Sequence, residues 1–207
     1  MVPYQPARAE ISAGNSRFVS SLSPADSVAS AREYIAAIRR EFPDATHHVP
    51  AFIIGGGNSV TEFCSDDGEP QGTSGRPLLA VLKGSGLGNV VVVVTRYFGG
   101  TLLGTGGLVK AYSEAGRSVL AKVRRATLSQ TLRSSFSLPY HLFDRFRILS
   151  SESGATIVTE DFTGDVRITV DVAADRWKDF TTRLRELSAG SLEPVVESSR
   201  MSARPLP

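Results

Sequence analysis

NVVVVVTRYFGGTLLGTGGLVKAYSEAGRSVLAKV, residues 89–123, is the stretch whose reading decides the fold. Val90 to Val94 form a β-branched run without alternation, which suits a strand covered on both faces and therefore near the middle of a sheet. The run ends at Thr95-Arg96-Tyr97-Phe98, after which Gly99, Gly100, Gly104, Gly106 and Gly107 follow closely. Beyond them Leu108, Tyr112, Ala115, Val119 and Val123 recur at helical spacing, with Lys110, Glu114 and Arg117 on another face. Lys110 and Glu114 are also an i,i+4 pair. The unit reads as strand, glycine loop, helix. Such a unit aims unpaired helix N–H groups and the positive end of the helix dipole at the space above the loop, a place suited to anions. Arg96 and Lys110 flank that space. The spacing matches neither GxxxxGK[ST] nor GxGxxG, so glycines needed only for a tight turn and close packing remain an equal reading.

Outward from this centre, the chain of 207 residues can bury a substantial core as one large domain or two small ones. With 41% hydrophobic and 21% charged residues its composition is that of a soluble globular protein. A net charge of +2 is too small for a general nucleic-acid binder, although a mild positive excess belongs to the first 128 residues. The single cysteine, Cys64, excludes an internal disulfide framework and a disulfide-linked partner is not expected. The N-terminus has no apolar leader and no run approaches a membrane span, so a cytoplasmic protein without a membrane partner is expected.

In chain order, residues 1–7 read as a loose lead-in, and Ala9 to Ser12 and Ser16 to Leu22 as a hairpin turning at Gly14-Asn15. Ser23-Pro24 reads as the start of a helix with Val28, Ala31, Ile35, Ile38 and Phe42 on its buried stripe, stopped by Pro43. His47 to Ile54 reads as a strand closed by Gly55-Gly56-Gly57, and Val60 to Cys64 as another. SDDGEPQGTSGRP is turn chemistry, followed by a short helix from about Gly75 to Lys83 capped by Thr73 or Ser74. Arg124-Arg125-Ala126 marks a seam. After it, strands at Ser129–Leu138, Ala155–Asp161, Val166–Val172 and Ser191–Glu197 alternate with helices at Tyr140–Leu149 and Asp175–Leu187. That order, βαββαβ, is the ferredoxin-like split βαβ. The expected division is 1–126, 127–200 and a disordered tail, 201–207.

Several constellations carry chemistry. Asp66, Asp67 and Glu69 crowd three carboxylates around Gly68; they can hold a hard cation, share a proton, cap a helix, or pair with Arg96 or Lys110 and so knit two loops together. His47 and His48 are neighbours on a strand, so their side chains point to opposite faces and do not easily share one metal. Cys64 is read as a buried, inert thiol rather than a nucleophile. Trp177, Phe180 and Leu184 have core spacing, and the arginines around them alternate with acids as on a solvated face.

Three segments, DATHHVPAF, SDDGEPQGTSGRP and VVVVTRYFGGTLLGTGGLVKAYSEAG, together resemble the YigZ/IMPACT family, as does Asn15-Ser16-Arg17-Phe18, where Asn15 replaces a lysine of the family's pattern. The resemblance is strong over residues 8–125 and one of pattern beyond. It implies an α+β protein, with an N-terminal α/β domain of the ribosomal-protein S5 domain 2-like fold followed by a ferredoxin-like domain similar to those of elongation factor G. It implies a bacterial two-domain member of a family whose eukaryotic relatives regulate translation. The expected partner is RNA or a ribosome-associated protein, and no cofactor is expected. The residues that match are His47, His48, Asp66, Asp67, Glu69, Arg96, Gly99, Gly100, Gly104, Gly106, Gly107 and Lys110, with Arg17. The first functional reading is a non-enzymatic, translation-associated binding protein in which Arg96, Lys110 and the helix end after Gly107 meet phosphate or acidic groups. The alternative is a metal-dependent hydrolase or transferase of a small phosphorylated substrate, with Asp66 or Asp67 holding the ion and His47 as acid–base. A protein-interaction module with a purely structural glycine cleft is the third.

Overall fold

The computed structural model describes residues 1–56, 59–162 and 164–206. In chain order the first elements are β1 (Val2–Pro3), β2 (Ala7–Ala13), β3 (Ser16–Pro24), α1 (Val28–Glu41), β4 (His47–Gly56), β5 (Ser59–Cys64), α2 (Gly75–Gly84), β6 (Val90–Tyr97) and α3 (Gly104–Leu120). They are followed by β7 (Arg125–Leu138), α4 (Phe143–Ser153), β8 (Thr156–Phe162), β9 (Val166–Ala173), α5 (Trp177–Leu187) and β10 (Val196–Pro205), with single 3-10 turns leading into α4 and α5. The chain forms two units, Met1–Thr127 joined by the residues from Ala203 on, and Leu128–Ser202.

In the first unit β6 is the middle strand of an antiparallel sheet ordered β2-β3-β6-β4-β5. Its valines lack alternation because both faces are covered. Val90, Val92 and Val94 share a core with Leu78 and Leu82 of α2 and Leu108, Tyr112, Ala115 and Val119 of α3. Val91 packs instead with Ala31 of α1, Phe52 and Ile54. A helix layer on each side therefore buries every residue of the run, which removes any half-exposed face from the pattern.

Two local expectations for this unit change. The helix expected at Ser23 begins at Val28, because Ser27 and Ser30 form a capping box while Ser23 and Pro24 still pair with Val91 and Val90 at the end of β3. Residues 1–7 are not a loose lead-in throughout, since Val2 and Pro3 pair with Ala126 and Arg125. Gly57, part of the glycine turn expected after β4, lies outside the described residues.

The second unit has the sheet order β10-β7-β9-β8. Thr131 meets Ser202 and Ser135 meets Glu197, so β10 runs opposite to β7. Val166, Ile168, Val170 and Val172 of β9 all point into one core with Leu138, Phe146, Leu149, Phe180 and Leu184. Their strict alternation in sequence is the trace of that single covered face. On β9's other face Asp171 takes both Arg133, at 2.7 and 2.8 Å, and Arg200, at 2.6 Å. The segment expected as a disordered tail is a strand as far as Pro205: Arg200 is anchored by Asp171, and the Leu206 amide donates to the Arg125 carbonyl at 3.0 Å. Pro207 lies outside the described residues.

The turn of the β2–β3 hairpin closes on the loop after β6. Asn15 Nδ2 donates to Thr101 Oγ1 at 3.3 Å, and a Cβ on Gly99 would stand 1.9 Å from the Asn15 carbonyl oxygen. That neighbour is backbone and cannot swing aside, whereas nothing stands within 4 Å of a Cβ on Gly106. Gly99→Ala should therefore lower stability by about 3 kcal/mol, the upper end for an overpacked site. Gly106→Ala, inside the first turn of α3, should be neutral or raise it by about 0.5 to 1 kcal/mol. Urea denaturation of both variants separates the two glycines.

Candidate functional site

Arg96 occupies the last buried position of β6, on the face shared by Val90, Val92 and Val94, and is only 4% exposed. Its guanidinium donates from Nη1 to Glu69 Oε1 at 2.7 Å and from Nη2 to Ser16 Oγ at 3.2 Å. The rings of Phe18 and Phe98 lie 5.5 and 5.4 Å from its central carbon, contacts that favour a cation over an aromatic face. Nε has no hydrogen-bond partner among the described residues. Glu69 Oε1 also accepts from the Tyr112 hydroxyl of α3 at 2.7 Å. Burial pushes the Tyr112 phenol far above its ordinary pKa and the Glu69 carboxylate adds to that, so the hydroxyl stays protonated and donates.

This arrangement corrects the sequence expectation at its centre. The expectation is that Arg96 flanks an anion recess with its positive charge; Arg96 is instead a core residue whose charge is matched by Glu69. The acidic turn does knit two loops together, and its partner is Arg96 rather than Lys110. Lys110 is exposed and makes no ion pair among the described residues, and Glu114 lies 3.7 Å from Arg117 rather than with Lys110.

The other two acids are structural in the same way. Asp66 closes the loop before α2: its Oδ1 accepts from the amides of Ser74 and Gly75 at 3.2 and 2.8 Å and from Ser74 Oγ at 2.9 Å, and its Oδ2 from the Gly72 amide at 2.8 Å. The cap of α2 is therefore Asp66, from eight residues upstream, and not the side chain of Thr73 or Ser74. Gly75 must lack a Cβ because the Ser65 carbonyl oxygen would stand 2.7 Å from it. Partial burial alone would raise the Asp66 pKa, but the hydrogen bonds from Gly72, Gly75 and Ser74 outweigh it and hold the carboxyl below the usual range. Asp67, at φ 48°, accepts the His48 amide at 2.6 Å and pairs with Arg39 of α1.

His47 and His48 do point to opposite faces. His47 Nδ1 lies 2.8 Å from the Asp67 carbonyl oxygen, which can only accept, so Nδ1 carries the proton; Nε2 is left 3.9 Å from Glu69 Oε1. His48 Nε2 is 2.9 Å from the Phe42 carbonyl at the end of α1. Burial pushes the Cys64 thiol above its ordinary pKa, with the Asp66 charge adding to it, so the thiolate is disfavoured at neutral pH.

The structure thus brings His47, Asp67, Glu69 and Arg96 into one network, with Gly99 joined to it through Ser16, whose Oγ lies 3.4 Å from the Gly99 amide. It leaves Gly100, Gly104, Gly106 and Lys110 on the surface, and Gly107 half-buried with Leu103 Cβ 3.1 Å from where a Cβ would stand. Two members of the network were missed in the sequence. Ser16 enters only as part of the Asn15-Ser16-Arg17-Phe18 element, with no role drawn from it, whereas a tyrosine on the buried stripe of a helix carries a physical signal: a buried phenol needs a partner, and Glu69 is it. For the hydrolase reading, a cation at Asp66 would have to displace four donors, and one at Asp67 the Arg39 and His48 contacts.

Glu69→Ala strands the buried Arg96 cation and should cost about 3 to 5 kcal/mol by urea denaturation, while Arg96→Met/Glu69→Gln, which removes the charges together and keeps an acceptor for Tyr112, should recover most of that loss. The depressed Asp66 and Asp171 carboxyls set the acid limit. Asp171 is held down first by its Arg133 hydrogen bond and then by both arginine charges, against burial. Both folded values lie below the unfolded ones, so their contribution is full above about pH 4 and is lost as pH falls through the folded values. Urea midpoints measured from pH 7 to 3 should fall in that window, and less steeply in Asp66→Asn and Asp171→Asn.

With this geometry in hand, comparison with known proteins places the chain. The Impact N-terminal domain family matches residues 14–120 and a domain of unknown function, DUF1949, matches residues 136–191. The IMPACT family member YigZ of Escherichia coli (strain K12) is 34% identical over 194 residues, covering 93% of this chain and 95% of that protein. The IMPACT family member YvyE of Bacillus subtilis (strain 168) is 43% identical over 106 residues, 51% of this chain and 48% of that one. The crystal structure of a hypothetical protein with 34% identity superposes with a TM-score of 0.60, covering 95% of this chain and 96% of its own. Matched in its first domain over more than half its length and in sequence along almost the whole of YigZ, this mixed α/β protein of two domains belongs to the IMPACT family.

Proposed function

We propose that the protein is a non-catalytic binding protein acting in the regulation of translation in the cytoplasm, and that it contacts RNA or a ribosome-linked partner through the open end of α3. The observation that carries this reading is the first turn of that helix. Gly104, Thr105 and Gly106 are exposed, no side chain among the described residues caps them, no acidic residue lies in the turn, and exposed Lys110 follows within two turns. The first N–H groups of a helix have no intrahelical partner, and together with the dipole and a lysine they suit phosphate oxygens or an acidic side chain. Family membership supports the translational setting, because the resemblance implies it. The order β10-β7-β9-β8 with helices between the strands supports a ferredoxin-like second domain, and the family resemblance supports the S5 domain 2-like reading of the first. Among the described residues no helix is long and apolar enough to cross a membrane. The hydrolase reading requires Asp66 or Asp67 to abandon contacts that hold α2 and α1 in place, so binding is preferred over catalysis.

Binding of a fluorescent RNA hairpin at low salt, and sedimentation with ribosomes before and after nuclease, test the proposal. Lys110→Ala should weaken binding uniformly across RNA sequences and reduce the slope of log affinity against log salt by about one. Arg96 should contribute no phosphate contact. An RNA and ribosome affinity that is undetectable, or indifferent to Lys110, refutes the reading.

A further inference from the structure

α2 and α3 lie side by side on one face of the first sheet and leave a groove between them. They come together where Gly116 of α3 faces α2: a Cβ there would stand 3.0 Å from Leu78 Cδ1 and 3.3 Å from Val81 Cγ1. Outward from that contact the facing residues are small, among them Ala80, Gly84, Ser113 and Ala121, and the space they leave has a volume of about 940 Å³. Pro77, Val81, Val109 and Leu120 contribute its apolar lining, and Arg76, Arg117 and Arg125 supply its charge.

No carboxylate is among the residues that line the groove. Arg76 and Arg125 have no ion-pair partner among the described residues, and Arg117 has only Glu114, one turn back on its own helix at 3.7 Å, with both side chains more than half exposed. A pair of that kind contributes little and yields readily to a competing acid. Among the described residues the lining contains no aromatic ring, so nucleobases would have nothing to stack on, whereas aliphatic side chains from two neighbouring helices fit the apolar stripe of a helix. Arginine surrounding an apolar floor is also the composition of a protein contact rather than of a small-molecule pocket.

We infer that this groove is a docking site for an acidic amphipathic helix of a partner protein, its apolar stripe on Val81, Val109 and Leu120 and its carboxylates on Arg76, Arg117 and Arg125. The ten residues of α2 span about 15 Å, so the groove holds two to three turns of such a helix. The inference is independent of the RNA reading, because neither Lys110 nor the glycine loop lines the groove.

The probe is a fluorescein-labelled synthetic peptide of about 14 residues with leucine at helical i, i+3, i+4 and i+7 spacing and glutamate at most other positions. It is titrated against the full-length protein beside a scrambled peptide of the same composition, a lysine-for-glutamate version and an RNA hairpin. The acidic amphipathic peptide should bind more tightly than both control peptides, lose about tenfold in affinity in Arg76→Ala/Arg117→Ala, and lose binding in Ala80→Glu, a change at an exposed position that the fold tolerates. Unchanged urea midpoints in these variants establish that they fold. Lys110→Ala should leave peptide binding intact while weakening RNA, which separates this inference from the function proposed above. Equal affinity for the scrambled peptide, or affinity unaffected by the arginine and Ala80 substitutions, overturns it, and so does an RNA hairpin whose binding is lost in Arg76→Ala/Arg117→Ala while the peptide's is not.

Discussion

A single buried cation organises the first domain. Arg96 lies opposite Phe18 in the β3–β6 ladder and opposite His47 in the β4–β6 ladder, so the register of three strands meets at this residue. Glu69 brings the acidic turn to it, Tyr112 brings α3, and Ser16 brings the hairpin whose turn closes on the glycine loop. A slip of one residue in β6 would turn the guanidinium to the α1 face, away from Glu69, and expose a charge to an apolar layer. Whether such a pair adds net stability over an apolar substitute is a separate matter from what it specifies. The desolvation of two ions consumes most of their attraction, but every wrong register leaves one of them unpaired.

The same network explains why the carboxylates of the turn are not free reagents. Each is assigned to a different neighbour: Asp66 to the amides that open α2, Asp67 to α1 and β4, Glu69 to β6 and α3. The turn is a clamp between helices on both faces of the sheet. Its residues look catalytic when written in a row, because acids crowded around a glycine are equally what a loop needs when several helix ends and a buried arginine must be satisfied at once.

Much of this was legible in the sequence, and the limits have physical reasons. An unbroken valine run requires two covered faces, and the alternation in β9 requires one; both patterns are consequences of burial and both survive folding unchanged. The start of α1 was misplaced because Ser23-Pro24 carries a good helix-opening signal in isolation, while the sheet recruits it as the last pair of β3 and leaves the capping to Ser27 and Ser30. Asp66 as the cap of α2 could not be read locally, since the donor and acceptor are separated by a turn whose path only the fold sets. β10 runs past residue 201 because β7, distant in sequence, pairs with it there: Ser202 meets Thr131 and the Leu206 amide donates to the Arg125 carbonyl. The burial of Arg96 was partly readable: it shares parity with Val90, Val92 and Val94, so a strand that buries those valines under α3 must direct the guanidinium there too. What sequence could not decide was whether water or Glu69 would meet it.

With Arg96 neutralised, the binding proposed above has to draw on cations at the surface. A net charge of +2 produces no long-range field strong enough to gather polyanions, and screening at physiological salt confines any attraction to about 8 Å. Affinity must therefore arise at contact, from local groups with defined geometry. Lys110, within two turns of the open end of α3, and the arginines around the α2–α3 groove are such groups, and both depend on where α3 is held. Ser20 Oγ of β3, donating to the Ala115 carbonyl at 2.9 Å, and Tyr112 bound to Glu69 hold α3 in place, and Gly116 against Leu78 sets its distance from α2. On the readings proposed above, the buried ion pair acts on binding without touching a ligand: it holds α3, which carries Lys110 and Arg117, and it keeps its own charge out of the surface.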